Sequence, residues 1–562
     1  MKKTLLLIFA CFPFFGTAQV TNQAKPASWE LNTEATIEAI NLPQLDIQNI
    51  KKEDVINDKL HAKPFRIGIP KKINYGLENS GSWTQLANGD RIWRILFHSK
   101  NAIHLSVVFN QFYIPKGGQL FLYNNRTSVL GTYTNAQNNK EQVLGTWLVY
   151  GDKLWIEYYE PKEVKGQANL HISSIIHGYR LGNTYQKGYN SLLKINNSGN
   201  CNHDVDCPIG ADFEANRDVL KKSVGFLNMG DGYICSGALV NNTNQDKKPY
   251  FLTANHCLER EDDEDPANPI LFSMRFNWIS PNPICAKTTN STNATANLIV
   301  TGGVTIKAKN GASDFMLLEL KKKIPNDWDV TFASWDKTDA NPTYEVGIHH
   351  PSGDIMKICR DDTGAIKATS DGKQLWLIGG LNDFGTNTSG NGWELGVTEG
   401  GSSGSPLFNQ NGDIIGQLYA GEADCTGTGD NSHYDVYGRF ATSWDRGTTA
   451  STRLKDWLDP ENKNPNTLDA LQNILAINDE VLDKNISIFP NPTSGLVQIQ
   501  IKEKTANLNY EVYTVLGQAV LRGKLQHNKV INLARLPNAI YYLKITEEET
   551  HKSIVKKIVL RK

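Results

Sequence analysis

Where cysteine falls constrains this chain more than any other feature. The sequence holds eight cysteines in 562 residues. Cys11 lies in an apolar run at the start. The other seven, Cys201, Cys207, Cys235, Cys257, Cys285, Cys359 and Cys425, all fall within 201–425. The opening residues read as a secretory signal. Lys2 and Lys3 give the charged start, Leu5 to Phe15 the apolar run, and Gly16-Thr17-Ala18 a small-residue cleavage site ending at Ala18. The run is too short to span a bilayer comfortably, and no later stretch of the sequence is long and apolar enough. The mature chain is therefore expected to fold where disulfides persist, with one segment cross-linked and its flanks not. Sequence alone leaves the pairing open. No pair of CxxC units is present, so a zinc site is a poor reading, and neither metal nor cofactor is expected.

Length predicts about three or four domains at ~150 residues each. A formal net charge of −1 argues against nucleic acid as a partner. Long helical periodicity is scarce, and short apolar runs between Gly, Pro and Asn turns predict an all-β fold. Residues 19–60 are polar with few aromatics and read as a loose leader. From about 62 to 180 the pattern is that of a β-sandwich. Ile103, Leu105, Val107 and Phe109 alternate with other residues, and Leu154 to Tyr159 follow the turn Gly151-Asp152. Trp83, Trp93, Trp147 and Trp155 read as core rather than as a carbohydrate platform. Residues 183–200 are loose and open to cleavage after Lys194. Many short strands follow to about 460, with a helix expected near Ser451–Trp457. A last module begins at Ile486-Ser487-Ile488-Phe489-Pro490-Asn491-Pro492 and is large enough for a small antiparallel sandwich.

The chemistry lies in the cysteine-bearing segment. Gly400-Gly401-Ser402-Ser403-Gly404-Ser405-Pro406 sets a serine among glycines, where a sharp turn exposes a hydroxyl and two amides can converge on an oxyanion. Phe251 to Cys257 places His256 just past an apolar strand, and Asp314 stands at the mouth of Phe315 to Leu320. Serine attack needs a base and a carboxylate to orient it. The order His256, Asp314, Ser403 is the chymotrypsin order. The acidic run Glu261 to Asp265 lacks the alternation of a calcium loop and reads as solvated charge.

Across 195–465 the segment resembles chymotrypsin-fold serine endopeptidases, most closely the bacterial lysyl endopeptidases. The resemblance rests on Cys201 to Cys207, Ser236 to Asn242, Tyr250 to Cys257, Ser313 to Leu320, Ile348-His349-His350-Pro351, Gly396 to Glu399, Gly401 to Pro406, Tyr437-Gly438-Arg439 and Trp457 to Pro460. It implies a double β-barrel in which His256 is the base, Asp314 its orienter and Ser403 the nucleophile. The Gly401 and Ser403 amides would line the oxyanion hole. It implies the pairs Cys201–Cys425, Cys207–Cys285 and Cys235–Cys257, with Cys359 left over.

Val397 stands where trypsin-like enzymes carry their specificity Asp. The lysyl pattern moves it to Asp435, ahead of Tyr437-Gly438-Arg439, with Asp430 as the nearest rival. Tyr419 replaces a histidine the family often shows and is expected at the specificity pocket. Ser402 stands where trypsin has the Asp that receives the new N-terminus. The C-terminal module resembles the type 9 secretion sorting domain through Phe489 to Pro492, Gly495, Tyr513 to Gly517, Leu536 to Leu543 and its basic end.

The organisation expected is therefore a signal peptide over 1–18, a propeptide over 19–194, a protease over 195–465, a linker over 466–484 and a sorting domain over 485–562. The expected function is a secreted or surface serine endopeptidase, a monomer, cutting protein or peptide substrates after lysine. It would pass the periplasm and meet the type 9 machinery. The alternatives are Arg/Lys or other specificity on the same scaffold, and a silent adhesion protein.

Overall fold

The computed structural model describes residues 25–30, 37–59, 63–124, 128–181, 198–260, 267–291, 298–325, 328–379, 392–472, 486–501, 508–514, 519–525, 530–547 and 553–562. Ala18, Lys194 and the acidic run at 261–265 lie outside them. Met1–Asn473 forms one compact unit and Ile474–Lys562 another.

The first unit begins with a sandwich. One sheet runs in the order Ile40–Asn41, Arg91–His98, Lys153–Glu160, Gln119–Tyr123, Val129–Tyr133, and the other is built on His104–Tyr113 and Asn169–Gly178. Trp93 and Trp147 are buried in its core. Trp83 lies under the Arg91 guanidinium, and Trp155 stacks on Tyr123.

Two further sheets follow in the same unit. An eight-stranded sheet contains Tyr233–Leu239, Tyr250–Ala254 and Phe315–Leu320. A ten-stranded sheet contains Glu345–His349, Pro406–Asn409, Ile414–Gly421 and Asp435–Arg439. Why the apolar runs are continuous rather than alternating follows from the packing. Successive side chains of a strand point to opposite faces. Tyr250 and Leu252 enter a core shared with Val346, Ile348 and Phe408 of the ten-stranded sheet. Phe251 enters a separate core with Met316 and Leu318. Both faces are buried, so both must be apolar.

Three disulfides join Cys201 to Cys425, Cys207 to Cys285 and Cys235 to Cys257. Cys359 is free and buried, and burial pushes its thiol well above its ordinary pKa. His203 lies beside Cys207 and Cys285, but those sulfurs are bonded to each other and offer no thiolate. The Cys207–Cys285 bridge spans 78 residues. Replacing both by Ser is expected to lower stability by about 3–4 kcal/mol, read by chemical denaturation.

Three expectations are corrected. The leader is not loose throughout, because Ile47–Lys59 is a helix. Its buried Asp54 accepts from Arg66, Tyr179 and Arg180, a tertiary cluster that no local pattern announces. The linker begins later than 466, since Thr467–Leu468 pairs with Trp335–Asp336 and Leu471–Gln472 with Thr331–Phe332. The expected terminal helix is split into a 3-10 turn, Ala450–Thr452, and one α-helical turn, Lys455–Leu458. The sandwich shares its core with residues of the sheets that follow it. Trp147 meets Phe226 at 5.7 Å, and Ile234, Trp278 and Ile355 join the sandwich core.

The second unit is a small sandwich of a three-stranded and a four-stranded sheet. Val497, Ile499, Val512, Leu543, Ile545 and Ile558 fill its core.

Candidate active site

His256 sits in the turn Asn255–Leu258 that ends the strand Tyr250–Ala254. The Cys235–Cys257 bridge anchors this turn to the neighbouring strand Tyr233–Leu239. Asp314 precedes Phe315–Leu320, which pairs with Tyr250–Ala254, so strand pairing itself brings the two residues together. Asp314 has φ of 54°, a left-handed conformation that Asp tolerates better than most residues. Its carbonyl accepts from Asn255 N at 2.6 Å. Its carboxylate is used twice: Oδ1 accepts from His256 N at 3.0 Å, and Oδ2 from His256 Nδ1 at 2.6 Å. An ionised carboxylate only accepts, so the ring proton sits on Nδ1 and Nε2 presents its lone pair. Nε2 is buried and has no hydrogen-bond partner among the described residues.

The loop Glu399–Gly404 arrives from the other sheet. Gly404 is pressed so closely on Thr253 and Ala254 that any side chain there would collide, and its φ is 82°. Ser403 is thereby set beside the end of the strand that carries His256. Ser236 N donates to Ser403 O at 2.8 Å, and Ser236 Oγ to Gly401 O at 2.9 Å. The Gly401 and Ser403 amides donate to nothing among the described residues.

A cleft of about 380 Å³, open to solvent, runs past Ser403 along Thr398 to Gly400 and along Leu418, Ala420 and Gly421. Behind it lies Asp435, 1% exposed. Trp393 Nε1 and Thr398 Oγ1 donate to its Oδ2 at 2.7 and 2.8 Å. Oδ1 lies across Gly421, where a Cβ would collide with it. Burial raises Asp435 to about 7, against the pull of the Trp393 and Thr398 hydrogen bonds. No cation among the described residues pairs with it. Asp430, the rival, abuts Gly392 and does not line the cleft. Tyr419 does not line it either. The strand Ile414–Gly421 shifts register between Leu418 and Ala420, and the Tyr419 ring stands 6.0 Å from the His256 ring.

Sequence reasoning gave no role to Ser236, His349 or Thr398, which lie in quoted motif blocks, and missed Trp393 altogether. The block Ile348 to Pro351 was visible, but nothing local shows that His349 reaches Ser402. The approach of Trp393 to Asp435, 42 positions away, has no sequence signal.

Two sheets sharing one core, with a His–Asp pair from one facing a Gly-Ser loop from the other, define a chymotrypsin-like double β-barrel. Within that class, residues 195–438 match the family model of the lysyl endopeptidase C-terminal domain. Residues 487–561 match that of the secretion system C-terminal sorting domain. A protein named lysyl endopeptidase from Pseudomonas aeruginosa is 29% identical over 304 residues, 52% of this chain and 60% of that relative. The chain thus spans less than two thirds of that relative's length. The MamO protease domain from Magnetospirillum magneticum aligns over 39% of this chain and 93% of its own, at 13% identity and a TM-score of 0.22. At that score it adds nothing to the fold read from the strands. The sorting module indicates type 9 export to the cell surface or the extracellular space. No described helix is long and apolar enough to cross a membrane.

Proposed function

We propose that this chain is a secreted serine endopeptidase that cuts on the carboxyl side of lysine. The observation that carries the reading is the pair of free amides, Gly401 and Ser403, beside a histidine whose Nδ1 is committed to a carboxylate. Ser403 Oγ attacks the scissile carbonyl carbon as its proton passes to His256 Nε2. The carbonyl oxygen gains the negative charge and is held by the two amides. His256 returns the proton to the leaving amine, giving the acyl-enzyme. Water, activated by the same ring, then releases the acid and restores Ser403. Asp314 keeps the ring in the useful tautomer and stabilises its charged form.

Asp435 supplies the specificity. A buried ammonium without a partner is strongly unfavourable, and a buried carboxylate at the foot of a cleft offers that partner. The matching family model carries the lysyl endopeptidase name, which agrees with a pocket for lysine. The segment up to Lys194 acts as a propeptide, and self-cleavage there frees the protease. The C-terminal module is the part that engages the type 9 machinery.

A fluorophosphonate reagent tests the nucleophile. It is expected to label the wild type and not Ser403→Ala, whose activity falls about 10⁶-fold. Labelling that survives this substitution removes Ser403 from the mechanism. Ser403→Ala is also expected to leave the chain uncut at Lys194. Digestion of a peptide mixture tests specificity: cuts clustered after Arg or Glu would replace the lysine assignment.

A further inference from the structure

A trans peptide unit is planar, with its C=O and N–H pointing in opposite directions. Fixing a carbonyl therefore aims the amide that follows it. In the Glu399–Gly404 loop, Ser352 N donates to Gly400 O at 2.6 Å, which turns the Gly401 N–H the other way. Ser405 N donates to Ser402 O at 2.9 Å, which does the same for Ser403 N–H. Both free amides are thus aimed by bonds on their far sides.

The first of those bonds, with several others to the same loop, comes from one segment, His349 to Ser352. His349 Nδ1 lies 2.7 Å from Ser402 Oγ, which also accepts from Glu399 N at 3.2 Å. His350 N donates to Ser236 Oγ at 3.0 Å, and Ser236 Oγ in turn holds Gly401 O. Ser352 adds its amide to Gly400 O and its hydroxyl to Glu399 Oε2 at 2.8 Å. His349 and Ser402 are both fully buried. Burial also keeps His349 neutral, at about 3, so no charge is needed at the contact.

We infer that His349 is a positioning residue that holds the oxyanion hole open from behind through Ser402. A neutral buried contact then takes the place of an ion pair from a newly cut chain end. The inference rests on the proposed serine mechanism. It implies that the hole is formed before the chain is cut.

The test compares His349→Leu, His349→Gln and Ser402→Ala with the wild type, each in the full secreted chain after processing, on a small lysyl ester. Loss of the contact is expected to lower kcat about 10- to 100-fold in His349→Leu and Ser402→Ala, with KM within about twofold. Affinity for a peptidyl-lysine boronate, which forms a tetrahedral adduct, falls in parallel, while affinity for butylamine in the lysine pocket stays. His349→Gln, which keeps a hydrogen-bonding side chain near Ser402, recovers part of kcat. Because Ser402→Ala removes only a hydroxyl, it stays informative if His349→Leu does not fold. An unchanged kcat in Ser402→Ala, or a rise in KM at constant kcat, overturns the inference. A wild type that neither hydrolyses the ester nor binds the boronate overturns the serine mechanism instead.

Discussion

Replacing Asp435 by Asn lowers kcat/KM for lysyl substrates roughly 10²- to 10⁴-fold and leaves the response to the fluorophosphonate reagent intact. The magnitude follows from the site's burial. Breaking one side of a buried charge pair costs about 3–5 kcal/mol, and each 1.4 kcal/mol is about tenfold. Asn keeps the shape and can still face Trp393 and Thr398, so the barrel is not disturbed. The acid limb of the pH profile provides a second check. The carboxyl sits at about 7 because it is buried, and lysine binds the ionised form. kcat/KM for lysine therefore falls as pH drops below about 7, and Asp435→Asn removes that dependence. Stability runs the other way. The folded state holds this proton more tightly than the unfolded chain, whose carboxyl titrates near 3.8. The empty pocket thus loses stability as pH rises from about 4 to about 7. Asp435→Asn is expected to flatten that slope in pH-dependent denaturation while removing lysine turnover. Lysine cleavage retained at wild-type rate would move the specificity group elsewhere.

Phe65→Ala in the full, uncut chain raises activity on a small lysyl ester about 3- to 10-fold. The N-terminal part lies over the site. Phe65–Arg66 pairs with Tyr233–Ile234, and Gly232 O receives both Ile67 N and Gly68 N at 2.7 and 3.1 Å. The Phe65 ring rests on Gly400, in the loop that carries Ser403. Asn57, Asp58, Lys63 and Pro64 line the same cleft. The Arg180 guanidinium stacks 4.5 Å from the Phe65 ring and also binds Asp58. Fully burying a phenylalanine stabilises by about 1.5–3 kcal/mol, and the partly buried Phe65 contributes about half of that, which sets the change in the open population. The substitution leaves every residue of the chemistry in place, so kcat of the processed enzyme should not move. An uncut chain already as active as the processed one would show that this covering does not restrain it. With the oxyanion hole formed in advance, uncovering the cleft is the step that remains.

Local sequence pattern marks the candidate reacting groups and most of the fold. A nucleophile must stand in a glycine turn, and a base at a fixed strand end, so Ser403, His256 and Asp314 were legible from local pattern and order. Short strands were legible because turns and β-branched runs are local signals. Asp435 became the candidate specificity residue only through resemblance, since nothing near it in the chain singles it out. What the tertiary structure alone decided depends on contacts between distant residues. The helix Ile47–Lys59 owes its place to Asp54 meeting Arg66, Tyr179 and Arg180, and its own pattern is weakly amphipathic. Tyr419 moved from the pocket to the His256 side because a register shift, invisible in composition, turned it. The hold of His349 on Ser402 spans 53 positions, and the covering of the cleft by Phe65 spans a greater distance in the chain. Local physics fixes which groups can react. Long-range packing fixes which way they face and what stands in front of them.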